Sequence, residues 1–131
     1  QAMRSFGAIS IPRENRIQAL KEYDRARELF QRGEHILLAP EGTRNSSQQL
    51  LLPFKSGPFL LAQSAGVPLV PILLSGTDQI WPKHSFFPGM LATSFQVKIK
   101  ILSSVPVSSS EDHKKLKEIL RDRMLSHLES F

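Results

Sequence analysis

Cysteine does not occur anywhere in the 131 residues. Its absence excludes a disulfide framework, a thiolate metal site and a cysteine nucleophile. Acidic residues are in short supply, 12 against 17 Lys and Arg, which leaves a formal charge of +5. A surplus of that sign favours a phosphate-bearing partner, whether nucleic acid, an anionic membrane surface or a phosphorylated small molecule. The basic residues lack the aromatic interleaving of base-stacking platforms, so nucleic acid is not expected among the partners. An apolar leader is also lacking, since the chain opens Gln1-Ala2-Met3-Arg4. No signal peptide is expected there, and a start without an initiator Met suggests a fragment or a processed chain.

Charge is missing altogether between Ser56 and Thr77, a stretch long enough to cross a bilayer. Pro58, Gly66, Pro68, Pro71 and Gly76 interrupt it, however, and a lipid-facing helix could not carry so many breaks. It reads instead as a short helix, a turn and a strand at the heart of one folded domain. The composition agrees, with 40% hydrophobic and 22% charged residues, neither disordered nor fibrous.

Along the chain, Ala8 to Ile11 has the pattern of a short strand stopped by Pro12. Apolar residues recur at Ile17, Leu20, Tyr23, Ala26, Leu29 and Phe30, which puts them on one face of a helix from Asn15 to Gln31, closed by Gly33. Ile36 to Ala39 reads as a strand buried on both faces. Ser56 is placed to cap a helix running to Ala65 and ending at Gly66, and a strand over Pro68 to Leu74 follows. Two strands joined by so short a crossover imply a βαβ unit with parallel strands. Phe95, Val97, Ile99 and Ile101 alternate with Gln96, Lys98 and Lys100 as in a half-exposed edge strand. Ser108 and Glu111 have the spacing of a capping box for a last helix whose apolar face is Leu116, Ile119, Leu120, Met124 and Leu128. The fold class expected is α/β, with a mixed, largely parallel sheet flanked by helices.

One stretch concentrates the chemistry: His35 to Arg44, H-I-L-L-A-P-E-G-T-R. Pro40 takes the chain out of the strand, and Glu41, Gly42, Thr43 and Arg44 leave its carboxyl end together, where open α/β sheets place ligands. A guanidinium presents a planar fork to phosphate, so Arg44 would suit a phosphomonoester, with Lys55 as a candidate second positive charge. Lys55, a lone position with little motif weight, reads more readily as a surface lysine at a helix start. Leu50 to Leu52 either pack inward or touch an acyl chain or a membrane.

In order, P-E-G-T-R at Pro40 to Arg44, F-K-S-G at Phe54 to Gly57 and A-G-V-P-L-V-P at Ala65 to Pro71 resemble the glycerolipid acyltransferase family, that of the 1-acylglycerol-3-phosphate acyltransferases. The resemblance covers Gly7 to about Trp81. It implies that Arg44 contacts the acceptor's phosphate, that Glu41 helps to hold its glycerol portion, and that Gly42 and Thr43 belong to the same binding motif. Val67, Pro68 and Pro71 match the block tied to acyl-donor binding and to the shape of the site. Gly7 to Arg13, G-A-I-S-I-P-R, is similar to a block ending in a phosphate-contacting arginine, here Arg13. It departs from the family pattern at Ser10 and Pro12, where Phe and Asp are usual.

The family's catalytic pair is a histidine followed five positions later by an aspartate: the histidine takes the proton of the acceptor hydroxyl and the aspartate orients the ring. None of the four histidines has that partner, since His35 is followed by Pro40, His84 by Gly89 and His113 by Glu118, and His127 lies too near the end. No catalytic residue is therefore assigned within the chain, and the pair is expected upstream. The resemblance implies the C-terminal part of a single acyltransferase domain over 1–131, a lysophosphatidate-like acceptor, and acyl-CoA or acyl-carrier protein as donor. It implies no metal and no bound cofactor, and a place at the cytoplasmic face of a membrane. The alternative is a non-catalytic domain that binds a phosphate or a lysolipid.

Overall fold

A computed structural model describes residues 16–45, 47–80, 94, 96–108, 110 and 112–129, with side chains from 21 onward. The expected strand at Ala8 to Ile11, together with Arg13, lies outside the described residues. The chain forms two compact units, residues 1–38 and 39–131.

In the first unit α1 spans Arg16–Gln31. Ala26 is buried on it, and Tyr23, Leu29 and Phe30 are half-buried, which is the face that the spacing predicts. Burial raises the pKa of the Tyr23 phenol above its ordinary value, because the charged form is the one that loses water. The helix ends as expected at Gly33, whose amide donates to Phe30 O at 2.9 Å. Ile36 to Ala39, expected as a strand, carries no regular secondary structure. Leu37 within it is 79% exposed.

In the second unit α2 spans Gly57–Ala65, β1 Ile72–Ser75, α3 Thr77–Ile80, β2 Lys98–Ile101 and α4 His113–Leu128. The uncharged stretch thus becomes a nine-residue helix, a turn and a strand. No described helix is long and apolar enough to cross a membrane. Ser56 does stand at the N-cap of α2, but its side chain makes no capping bond; Pro58 supplies the preset first turn.

The strand pairing differs from the expected parallel βαβ unit. β1 pairs with β2, antiparallel, in the register Ile72–Ile101, Leu73–Lys100, Leu74–Ile99 and Ser75–Lys98. Gly76 shows why the chain can return so closely. Its φ is +85°, and a Cβ there would collide with the carbonyl oxygen of Gln96 just before β2. Only glycine permits that backbone and that approach. Beyond the ladder, Leu69 pairs with Val105 through bonds of 2.9 and 2.7 Å. From Ile72 back to Leu69 is three steps and from Ile101 on to Val105 is four, so one residue bulges and bends the ribbon.

The buried core joins Leu51, Phe54, Phe59, Leu73, Leu102, Leu116, Leu120 and Met124. Leu73 turns into it, while Leu74, Ile99 and Ile101 on the opposite face of the ribbon are 53, 62 and 67% exposed. The alternation read in β2 is therefore real, but the isoleucines lie on the open face and Lys100 on the half-buried one. α4 buries Leu116, Leu120 and Met124 at a four-residue spacing, as its sequence predicts, whereas Ile119, expected on the same face, is exposed. Its cap is not the expected Ser108. Asp112 is the N-cap, and its carboxylate accepts from the Lys114 amide at 2.9 Å. Asp caps as well as Ser does, and it stands directly against the first turn.

Candidate functional site

The P-E-G-T-R motif lies in a closed loop running from Ala39 to Lys55. It starts as a tight turn, with the Gly42 amide donating to Ala39 O at 3.1 Å. Pro40 second and Gly42 fourth are the residues such a turn favours. The far end returns to the start, because the Lys55 amide donates to Pro40 O at 2.8 Å. A loop whose ends are joined in this way has the character of an Ω-loop.

Three anchors hold its interior. Asn45 Oδ1 accepts from the Ser47 amide at 2.9 Å and Asn45 Nδ2 donates to Gln49 O at 2.6 Å, which folds the distal polar stretch back on itself. Leu51 and Phe54 insert into the core. Of the two readings of Leu50 to Leu52, inward packing holds for Leu51, while Leu50 is exposed. The third anchor is polar: the Leu52 amide donates to Glu41 Oε2 at 2.8 Å. Glu41 is half-buried, so its carboxylate binds its own loop from the protein side.

This closure leaves Thr43 and Arg44 exposed at the outer turn. Lys55 reaches the same turn. Its aliphatic stem lies beside Gly42, with Cγ 3.4 Å and Cε 3.9 Å from where a Cβ on that glycine would stand. Gly42 also has φ +69°. Gly42→Ala is therefore expected to lower unfolding stability by about 1–2 kcal/mol through the left-handed backbone, since the added Cβ would meet the Lys55 stem only at van der Waals distance. Urea unfolding measures the loss, and an unchanged midpoint would refute the strain.

The other expected site residues divide. Val67 is half-buried, with its amide donating to Ala62 O at 3.1 Å, and Pro68 is exposed beside it. Pro71 is buried at the entrance to β1, where its carbonyl accepts from the Leu102 amide at 2.9 Å. Of the histidines, His35 is exposed, His113 begins α4 with Nδ1 3.9 Å from Asp112 Oδ1, and His84 lies outside the described residues. Among the described residues no group of three or more His, Asp or Glu is placed to hold a metal ion.

Arg121 contacts the motif loop without any sequence signal to announce it. From α4 its Nη2 donates to Leu51 O at 2.8 Å and its Nε to Leu52 O at 3.3 Å. A basic residue on an amphipathic helix reads as a solvated face, and nothing in a linear pattern ties it to a loop some 70 residues earlier. Chemically, the loop offers a guanidinium and an ammonium on a frame that is itself hydrogen-bonded and packed. That suits an anionic, phosphate-bearing ligand.

Residues 1–75 match the sequence profile of the family described as Acyltransferase. The chain is similar to the chloroplastic 1-acyl-sn-glycerol-3-phosphate acyltransferase BAT2 of Brassica napus, 38% identical over 64% of this chain and 24% of that protein. A 1-acyl-sn-glycerol-3-phosphate acyltransferase of Haemophilus influenzae is 44% identical over 54% of the chain and 30% of its own length. A putative one of Caenorhabditis elegans, acl-1, is 33% identical over 93% of the chain and 45% of its own length. The chain thus spans between about a quarter and a half of these relatives. No solved structure matches it. With its profile match running from the N-terminus through the P-E-G-T-R loop and into β1, the chain belongs to the acyltransferase family.

Proposed function

We propose that the full-length protein is an O-acyltransferase of phospholipid synthesis that moves a fatty acyl group from acyl-CoA or acyl-carrier protein to a lysophosphatidate-like acceptor. This chain supplies the acceptor-binding part, as the C-terminal portion of a single acyltransferase domain. The observation that carries the reading is the motif loop, in which Glu41 is fastened to the Leu52 amide while Arg44 stands exposed and Lys55 lies against Gly42. Arg44 binds the acceptor's phosphate and Lys55 adds a second positive charge, while Arg13 keeps the phosphate-contacting role that the family resemblance implies for it. Glu41 holds the turn and, through it, the glycerol end of the acceptor. Thr43 contributes its hydroxyl within the same motif, and the Val67 to Pro71 block shapes the acyl-donor side.

The step itself is acyl transfer from a thioester. A general base takes the proton of the acceptor hydroxyl, the oxygen attacks the thioester carbonyl, the C–O bond forms as the C–S bond breaks, and the departing thiolate takes up a proton. A histidine paired with an aspartate, upstream of this chain, supplies the base. Ile36 to Ala39 joins the complete domain as a further strand of a largely parallel sheet, a reading supported by its apolar run and by the exposure of Leu37. The protein works at the cytoplasmic face of a membrane, where the formal charge of +5 favours anionic headgroups.

The test is transfer of a labelled acyl group to lysophosphatidate by the full-length protein, with acyl-CoA and acyl-carrier protein offered as separate donors. Labelled phosphatidate supports the reading. Tight lysophosphatidate binding with no transfer from either donor would replace it with a binding domain that lacks the base.

A further inference from the structure

Resting on the reading of the motif loop as the acceptor's phosphate site, we propose that Arg121 is a positioning residue for acceptor binding. It acts through one peptide group, the unit formed by Leu51 C=O and Leu52 N–H. The oxygen of that unit accepts from Arg121 Nη2 at 2.8 Å and its N–H donates to Glu41 Oε2, also at 2.8 Å. A guanidinium therefore stands at the negative end of the peptide dipole and a carboxylate at the positive end. Both bonds are charge-assisted, and each polarises the peptide in the sense that strengthens the other.

The helix explains why the guanidinium stays in place. Arg121 follows the buried Leu120 and shares its flank of α4 with Leu125 and Leu128, which pack against the core. Its second bond, from Nε to Leu52 O at 3.3 Å, makes the fork span two successive carbonyls. Lysine, a single compact donor, cannot reproduce that fork. Leu51 and Leu120 belong to the same core cluster, so Leu51 is held both by its side chain and, through its carbonyl, by Arg121. Glu41 then transmits that position to Gly42, Thr43 and Arg44, its immediate successors in the chain. Arg121 lies beyond the family-matched residues 1–75, whereas the peptide it holds and Glu41 lie within them.

The experiment uses the full-length protein and compares Arg121→Gln, Arg121→Lys, Glu41→Gln and the double variant Glu41→Gln/Arg121→Gln. Arg121→Gln is expected to raise the KM for lysophosphatidate about tenfold, the usual scale for losing a charged hydrogen bond that orients a binding group. The acyl-donor KM should stay within about twofold, and Arg121→Lys should recover part of the loss. Because both charges act on one peptide, the double variant should lose less than the two single losses combined. A lowered melting temperature with both KM values unchanged overturns the proposal, as do equal changes in the two KM values or additive losses in the double variant.

Hydrogen exchange at the Leu52 amide separates failure of this inference from failure of the acyltransferase reading. Arg121→Gln should speed that exchange about tenfold whether or not the parent transfers acyl groups, because loss of the guanidinium weakens the bond to Glu41. Unchanged exchange overturns the tie. Faster exchange in a parent without transferase activity leaves the tie standing and removes only the acyltransferase.

Discussion

Arg44→Ala in the full-length protein is expected to reduce kcat/KM for lysophosphatidate by about a hundredfold. Arg44 is exposed at the outer turn of a loop closed by the Lys55–Pro40 backbone bond and stiffened by the Glu41–Leu52 bond, so its guanidinium is carried on a hydrogen-bonded frame. Truncating it removes the guanidinium, while the Lys55–Pro40 and Glu41–Leu52 bonds are made by other residues. A guanidinium bound bidentately to a phosphate contributes about 3 kcal/mol, taking each charged hydrogen bond at the low end of its range, and that is about two powers of ten in binding. Arg44→Lys keeps the charge and loses the fork, so it should recover only part of the rate. Steady-state kinetics against lysophosphatidate, with melting temperature as the control for folding, decide it. Full activity in Arg44→Ala would remove the phosphate-clamp reading.

Phe59→Ala is expected to cost about 3–5 kcal/mol of stability, the range for deleting a large buried aromatic side chain. Phe59 is 1% exposed, and its ring lies 6.2 Å from that of Phe54 at an interplanar angle of 22°. The two rings join different elements, since Phe59 belongs to α2 and Phe54 closes the motif loop. The cavity would therefore loosen the loop as well as the core, against a total stability that for most domains is only about 5–15 kcal/mol. Urea unfolding by circular dichroism measures the loss. A drop of less than about 1 kcal/mol would mean that the core collapses onto the gap and that the ring pair is not central to it.

The helices were legible because their signals are local. A 3.6-residue recurrence marks the buried side of α1 and the Leu116, Leu120, Met124 stripe of α4, and proline and glycine bound α2. Caps were less legible. Ser56 and Ser108 both have capping chemistry, yet Ser56 stands at its N-cap with helical backbone and makes no capping bond, while Asp112, with the extended backbone a cap needs, takes the role expected of Ser108. Strand partners were not legible at all. Hydrophobic alternation states that a segment has two faces, but not which segment pairs with it or which face is covered. Hence β1 pairs antiparallel with β2, and the isoleucines of β2 face outward.

The same division runs through the candidate site. The amino-acid sequence by itself determined that the chain leaves into a loop at Pro40, the candidate set Glu41, Thr43, Arg44 and Lys55, and the family, since each depends on residues a few positions apart or on an ordered set of short motifs. Only the tertiary structure decided that the Glu41 carboxylate holds the Leu52 amide, that the Lys55 stem lies against Gly42, and that Arg121 grips the other end of the same peptide from α4. Those contacts join residues 11, 13 and 70 positions apart, and such pairs meet only after core packing has closed the intervening chain into a loop.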